Sequence, residues 1–293
     1  MIMLESIIIP AYQQMLLFLP LAFGMYVTYC VMNTTDLTVE ATFVLGAALF
    51  AKVLMTLSDS YVACLIAIVL PSLAGLGVAM MRKFARIDSL IASVLAIYML
   101  YTINFTVMGR PNINLLSTHL WLLNDQHTHP WLVWGAITLG MFLLAVILVV
   151  LLHGRFGLLL RAIGINEPLA KMLGENVFGL LILGLMLSNS LSALSGVLTA
   201  QINGYADIGM GTGMALTAIG AMMIGMTVFR RHQALHFNAA LDLLACASGV
   251  LVYFIVLNTL LALDVNPIYL KLLMGLLLVF FLSGAVRHKK IGA

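Results

Sequence analysis

Charge is what this chain has least of: 9% of its 293 residues are Asp, Glu, Lys or Arg, while 63% are hydrophobic. A soluble domain of this length hides its apolar residues behind a charged shell, and fourteen basic plus eleven acidic residues cannot supply one. Mean hydropathy is +1.11, so the solvent for most of the chain is lipid. Cysteine is equally scarce. Cys30, Cys64 and Cys246 are odd in number, far apart, and lie in or beside apolar runs; that excludes a disulfide or metal framework and reads as free thiols packed as small hydrophobes. The opening stretch "MIMLESIIIPAYQQ" lacks the positive start and small-residue cleavage site of a signal peptide and is expected to be retained. No Gly-Lys-Ser/Thr follows the alternating Gly209, Gly211 and Gly213, which removes ATP binding from this chain's own repertoire. The net charge of +3 gives nucleic-acid binding no support.

What is present is a series of apolar runs of about twenty residues, the length that crosses a hydrocarbon core about 30 Å thick. They fall at roughly 12–31, 37–57, 61–81, 89–108, 131–153, 177–200, 211–229, 238–262 and 267–286. The expected fold is an all-α polytopic membrane protein of about 8–9 transmembrane helices, residues 1–293 forming one domain. Spans two and seven start with polar or Gly-rich approaches and read as broken or re-entrant helices. Eleven of the fourteen basic residues fall on one side: Arg82, Lys83, Arg86, Arg155, Arg161, Lys171, Arg230, Arg231, Arg287, Lys289 and Lys290. The positive-inside rule makes that side, and the C-terminus, cytoplasmic. Arg110 is external, and Lys52 and Lys271 sit near span ends, where long side chains snorkel. Trp121, Trp131 and Trp134, in or beside the external loop 109–130, read as interfacial anchors.

The cytoplasmic segment 154–176 stands apart, mixing charges with apolar positions. Asn166 is a good N-cap, Pro168 is tolerated in a first turn, and Gly174 can end a helix, predicting a short helix over about 167–173. Such a helix beneath a membrane serves to dock a partner; the alternative is a plain connector. In "LSNSLSALSGVLTA", Ser188, Ser192, Ser195 and Thr199 are spaced by four, three and four, which aligns their hydroxyls on one face, beside a second face of Asn189, Ala193, Gly196 and Ala200. Two readings stand: tight packing through small residues, or a polar wall of a substrate path. Asp207 is either a solvated loop acid or part of an outer gate. His119, His127 and His129 lack the ligand spacing of a zinc site. Ser195 has neither the upstream glycine nor the basic partner of an intramembrane protease, so no catalytic set emerges.

In "NTTDLTVEAT", Asp36 is placed to cap the second apolar helix, and Glu40, one turn on, falls on the same face. If that helix starts in bulk water, the acids are an ordinary solvated cap. If it starts part-way into the membrane, Asp36, Thr38 and Glu40 face a protein-lined vestibule and belong to a translocation path with Ser188, Asn189, Ser192, Ser195, Thr199 and Asp207. A proton-driven carrier would want a buried mid-span acid with a partner, and Asp242 is the remaining candidate.

Four stretches together resemble the permeases of bacterial ABC importers in the branched-chain amino acid and ribose group: "DLTVEATFVLGAA", "GLLLRAIGINEPLAKMLGEN", "LSNSLSALSGVLTAQINGYADIGMGTGM" and "LDVNPIYLKLL". The subgroup paired with binding proteins of the tryptophan/tyrosine type is the most similar. The resemblance implies an inner-membrane, type II importer-like bundle that pairs with a second permease copy, binds two ATPase subunits that carry the ATP and Mg, and receives a small solute, an amino acid with aromatic ones among the candidates, from an extracytoplasmic binding protein. It implies no cofactor and no enzymatic activity in this chain. The segment through Arg161, Gly164, Asn166, Glu167, Pro168 and Gly174 would be its coupling helix. Two departures are Thr35, where similar permeases carry proline, and the long "MTVFRRHQALHFNAALDLLACASG" in place of a shorter Gly-rich turn.

Overall fold

The computed structural model of the chain describes residues 2–57, 59–116, 129–172, 174–229 and 238–266, with single positions between and after them. Its elements run α1 (Ile2–Met25) continuing as one π-turn (Tyr26–Val31), α2 (Val39–Leu57), α3 (Ser60–Phe84), α4 (Ser89–Met108), β1 (Asn112–Asn114), α5 (Pro130–His153), α6 (Arg155–Ile165), α7 (Glu167–Met172), α8 (Val177–Asn203), β2 (Tyr205–Asp207), α9 (Met214–Phe229) and α10 (Ala239–Ala262). Seven of these helices are long and apolar enough to cross a membrane. The chain is an all-α polytopic membrane protein. The expected seventh span is the short helix α9, 16 residues long, and the ninth lies largely outside the described residues, as do His119, His127, Trp121, Arg231, His232 and His236.

α8 is the axis of the bundle, with α1, α2 and α3 packed around it. Its small residues explain why three helices fit. The Cβ that Gly196 lacks would lie 1.9 Å from the Phe43 carbonyl oxygen of α2, and one at Gly46 of α2 would lie 2.5 Å from the Ala193 carbonyl oxygen of α8. Backbones this close exclude even a methyl group, as in small-residue membrane packing. The hydroxyls cross the same interfaces: Ser192 Oγ donates to the Val39 carbonyl of α2 and Ser195 Oγ to the Leu17 carbonyl of α1. Thr199 Oγ1 donates to Ser195 O within its own helix. In this conformation the serine face is therefore a packing seam. Trp131 is 83% exposed, as an interfacial anchor would be, whereas Trp134 is 9% exposed and belongs to the core; the expectation of an anchor there is corrected, because Trp134 falls on the side of the helix that buries Val133, Ile137 and Met141.

The basic end gathers in space what the sequence disperses. Arg82 and Lys83 in the last turn of α3 and Arg86 just after it line the same cavity as Lys171 of α7. At the opposite end β1 and β2 pair antiparallel, Asn112 opposite Asp207, and α4 closes on Gly109 in the left-handed region.

The Gly196 contact predicts that Gly196→Ala lowers stability by about 1–3 kcal/mol through overpacking. Gly77→Ala, in a helix position with no atom within 4 Å, should be neutral or slightly stabilising. Thermal unfolding in detergent micelles compares the two, and equal behaviour would contradict the packing described.

Candidate functional site

The chain leaves helical geometry between Met32 and Thr38, inside the bundle. Val39 lies beside Ser192, fifteen residues into α8, so α2 starts about 22 Å from the basic end at 1.5 Å per residue. Irregular backbone at that depth survives only if its polar groups find protein partners, because each orphan costs several kcal/mol in hydrocarbon. They do. Met32 N–H donates to Val27 O, the bond that makes the π-turn, and Thr34 N–H to Thr28 O. Ser89 Oγ, at the start of α4, donates to Thr35 O. Asn104 Nδ2 of α4 donates to Ala41 O in the first turn of α2.

The local cause of the break is Asp36. Its Oδ1 accepts the Thr38 backbone N–H at 3.0 Å and lies against Thr38 Oγ1, an Asx turn that competes with helix formation. Its Oδ2 accepts Asn189 Nδ2 of α8 at 3.0 Å, and Asn189 Oδ1 in turn receives Thr42 Oγ1 at 2.9 Å and lies 3.1 Å from Thr38 Oγ1. Asp36, Thr38, Thr42 and Asn189 are all 0% exposed. Four side chains from two helices and the unwound strand thus form one closed polar cluster at mid-bundle.

Glu40 does something different. Its carboxylate accepts the Ala215 N–H at 3.2 Å, in the first turn of α9, and also meets the Gly213 amide. Gly211 packs on the Glu40 carbonyl so closely that an added Cβ would sit 2.3 Å away. The two acids therefore do not share a helical face: Asp36 precedes the helix and turns to α8, while Glu40 caps the free amides of α9 from another element. The glycine turn before α9 reaches Glu40 part-way down the bundle. Asp207 is tied by Asn112 Nδ2 at 3.2 Å and Gly209 N–H at 2.8 Å, and so fastens β2 to β1 and to the following turn. Ser188 is fully buried and its Oγ has no partner among the described residues.

At the basic end the expected short helix is α7, and Gly174 follows it at φ +80°, a conformation that glycine adopts without strain. The Asn166 carbonyl accepts Ala170 N–H as α7 begins. A second helix, α6, precedes it; sequence reasoning missed it because Gly154 at its start offers no side-chain cap. Arg161 Nε and Nη2 donate to Gly157 O and Leu152 O, tying α6 back to the end of α5. Glu167 pairs with Lys171 at 2.7 Å, and Arg155 with Glu175 at 3.5 Å. Pro168 is exposed in the first turn. Gly164 is the contact between this segment and the core: a Cβ there would lie 2.6 Å from Val31 O and 2.9 Å from Met32 C, and Asn33 Nδ2 donates to Gly164 O at 3.4 Å. α6 rests on the point where α1 ends and the unwound strand begins.

Removing the remote cap with Glu40→Ala should speed hydrogen exchange of the first α9 amides, Met214 to Thr217, by about fivefold, the equivalent of a lost cap worth about 1 kcal/mol. Exchange in α8 should not change, and unchanged protection of α9 would show that Glu40 does not cap it.

A family model described as branched-chain amino acid transport system / permease component matches residues 7–282. The chain is 43% identical over 283 residues to an uncharacterized protein of Rickettsia prowazekii (strain Madrid E), covering 97% of this chain and 99% of that one. It is 31% identical over 277 residues to a tyrosine transport system permease protein of Clostridioides difficile (strain R20291), covering 94% and 90%. A probable ABC transporter permease protein of Escherichia coli (strain K12) is 28% identical over 165 residues, 54% of this chain and 47% of that one. No solved structure matches. With a match that runs through the unwound strand, α6, α7 and the α8 seam, the chain belongs to the branched-chain amino acid transport permease family, and is a permease component of an ABC transport system.

Proposed function

We propose that the chain forms the translocation path of an ATP-driven importer in a bacterial inner membrane, for a small solute of amino-acid type. The tyrosine transport relative supports that solute class and, among amino acids, an aromatic one. The basic end is the cytoplasmic face by the positive-inside rule, and the C-terminus lies there. Two ATPase subunits, which carry ATP and Mg, dock on α6 and α7 of two permease copies, and an extracytoplasmic binding protein delivers solute at the opposite end. The chain itself carries no catalytic group in this reading and binds no cofactor.

The observation that carries the proposal is the seating of α6 on Val31 and Met32 through Gly164. A docking helix transmits force only if it bears on something that moves with it. Here it bears on the strand that leads to Asp36, and the Asp36 cluster sets where α2 starts. Closure of the ATPase subunits on ATP pulls α6 and α7; the strand follows, and the Asp36–Asn189 and Glu40–Ala215 bonds determine which opening of the path is stabilised. The driving energy is the difference in ATP affinity between the two states. Asp36, Thr38, Glu40, Ser188, Asn189, Ser192, Ser195, Thr199 and Asp207 are the polar groups that the path would use. With Asp36, Ser188, Asn189, Ser192 and Ser195 buried in this conformation, the conformation is read as one in which the path is closed at mid-bundle.

Co-purification in mild detergent followed by an ATP hydrolysis assay tests the reading. A stoichiometric ATPase subunit is expected with the native chain. Glu167→Lys should abolish its retention by reversing the charge on α7, and Gly164→Ala should retain it while lowering uptake per ATP hydrolysed at least tenfold. Full uptake with Glu167→Lys, or uptake in liposomes without any ATPase, would overturn the proposal; the latter would point to an ion-coupled carrier using Asp242, which is 3% exposed and accepts the Tyr26 hydroxyl at 2.8 Å.

A further inference from the structure

At the basic end lies a cavity of about 680 Å³ that neither the translocation path nor the polar cluster accounts for. Its walls carry Arg82, Lys83, Arg86 and Lys171 against Asp88 and Glu167. Lys171 and Glu167 neutralise each other at 2.7 Å. Asp88 caps α4, its carboxylate accepting Leu90 N–H at 3.3 Å. On the cavity wall three cations therefore face one carboxylate that is already engaged, and Asp36, which faces Arg82 from within the bundle, is itself held by Thr38 and Asn189. Arg82 buries its Nη1 with no hydrogen-bond partner among the described residues, an arrangement that a buried guanidinium nitrogen sustains only when an acceptor comes from elsewhere. Lys83 holds its Nζ 3.8 Å from the centre of the Phe178 ring, over the cavity wall, and pairs with no carboxylate among the described residues. Arg86 occupies the left-handed region at φ +55°, which for a residue other than glycine marks a turn held in place by its surroundings.

We infer that this cavity binds the phosphate headgroup of an anionic phospholipid from the adjoining leaflet. A phosphate offers the oxygen acceptor that Arg82 Nη1 lacks among the described residues, and the planar guanidinium groups of Arg82 and Arg86 suit phosphate geometry. A free phosphate would satisfy the same donors, but two features favour a lipid. Much of the remaining wall is apolar, with Met32, Ile163, Phe178 and Leu181, and such a surface fits glycerol and acyl carbons better than a hydrated ion. The cations also stand at the end of a membrane-spanning helix, where α3 finishes at Phe84 and Phe84 is 74% exposed; that is the level of the headgroups. Because the cavity reaches Asn33, Thr34 and Gly164, a bound headgroup would brace α6 against α3 and the start of the unwound strand. The inference does not depend on the presence of an ATPase, so the two stand or fall separately.

Thermal unfolding of the delipidated full chain in neutral detergent tests it, with phosphatidylglycerol, phosphatidylcholine or inorganic phosphate added at equal ionic strength. Phosphatidylglycerol should raise the midpoint by about 5 °C at saturation, and phosphatidylcholine by less than about 1 °C. R82Q/R86Q should lose most of the shift, while R110Q, outside the cavity, should keep it. Native mass spectrometry should find phosphatidylglycerol retained by the native chain, and it provides the readout with K83Q alone if the double variant does not fold. Equal shifts from the two lipids, or an undiminished response in both R82Q/R86Q and K83Q, would overturn the inference. A shift from inorganic phosphate that phosphatidylglycerol does not increase would assign the cavity to a free anion and overturn the lipid.

Discussion

A carboxyl group with no exposure, about 18 Å inside an apolar bundle by the rise of α8 to Asn189, is the constraint on which the rest of the architecture depends. Asp36 can be there only because Thr38 and Asn189 supply its hydrogen bonds, and an unsatisfied polar group at that depth would cost several kcal/mol. The requirement works in both directions. Holding Asp36 stops the helix before Val39, and stopping the helix frees backbone groups that must then be met by α4 and the π-turn. Both contacts are present, through Ser89, Val27 and Thr28, and α6 packs on the same segment at Gly164. The break is therefore an organised feature that ties four elements together, in keeping with non-helical membrane backbone being confined to protein-lined positions.

The consequence for mechanism is a short mechanical path. α6 presses on Val31 and Met32, four residues further the chain reaches Asp36, and four further still Glu40 holds the start of α9. A displacement at the basic end reaches the middle of the bundle through eight residues of chain, without having to deform a long helix. Tight glycine contacts between α2 and α8 make the alternatives discrete, because backbones this close cannot slide by fractions of an ångström without collision. The Tyr26–Asp242 bond fastens the π-turn to α10, so the same lever touches the helix that packs on α9.

Much of this was legible in the residues, for reasons that can be named. Hydropathy located the long helices because lipid demands apolar runs of fixed length. Pro168 and Gly174 bounded α7 because each restricts backbone geometry locally. The small residues of α8 announced close packing, but their spacing alone could not say whether the hydroxyls faced a path or a neighbour; Ser192 and Ser195 face carbonyls of α2 and α1. The separation of Asp36 from Glu40 was not legible. Helical periodicity places i and i+4 together, and what overrides it is an Asx turn completed by Asn189, a partner 153 positions away. α6 was missed for a related reason: it is held by Arg161 reaching back to Leu152 and by its seat on Val31, neither of which is a local signal.

The central claim is that Asp36 and Asn189 act as one unit that fixes the start of α2. The most direct test is a double-mutant cycle, measuring unfolding free energies in mixed micelles for Asp36→Ala, Asn189→Ala and the pair together. The account predicts a coupling of about 1–3 kcal/mol, the double variant being less destabilised than the sum, since either single change leaves a buried polar partner without its bond. Additivity within about 0.5 kcal/mol would mean that the two residues do not depend on each other, and the break in the helix would need another cause.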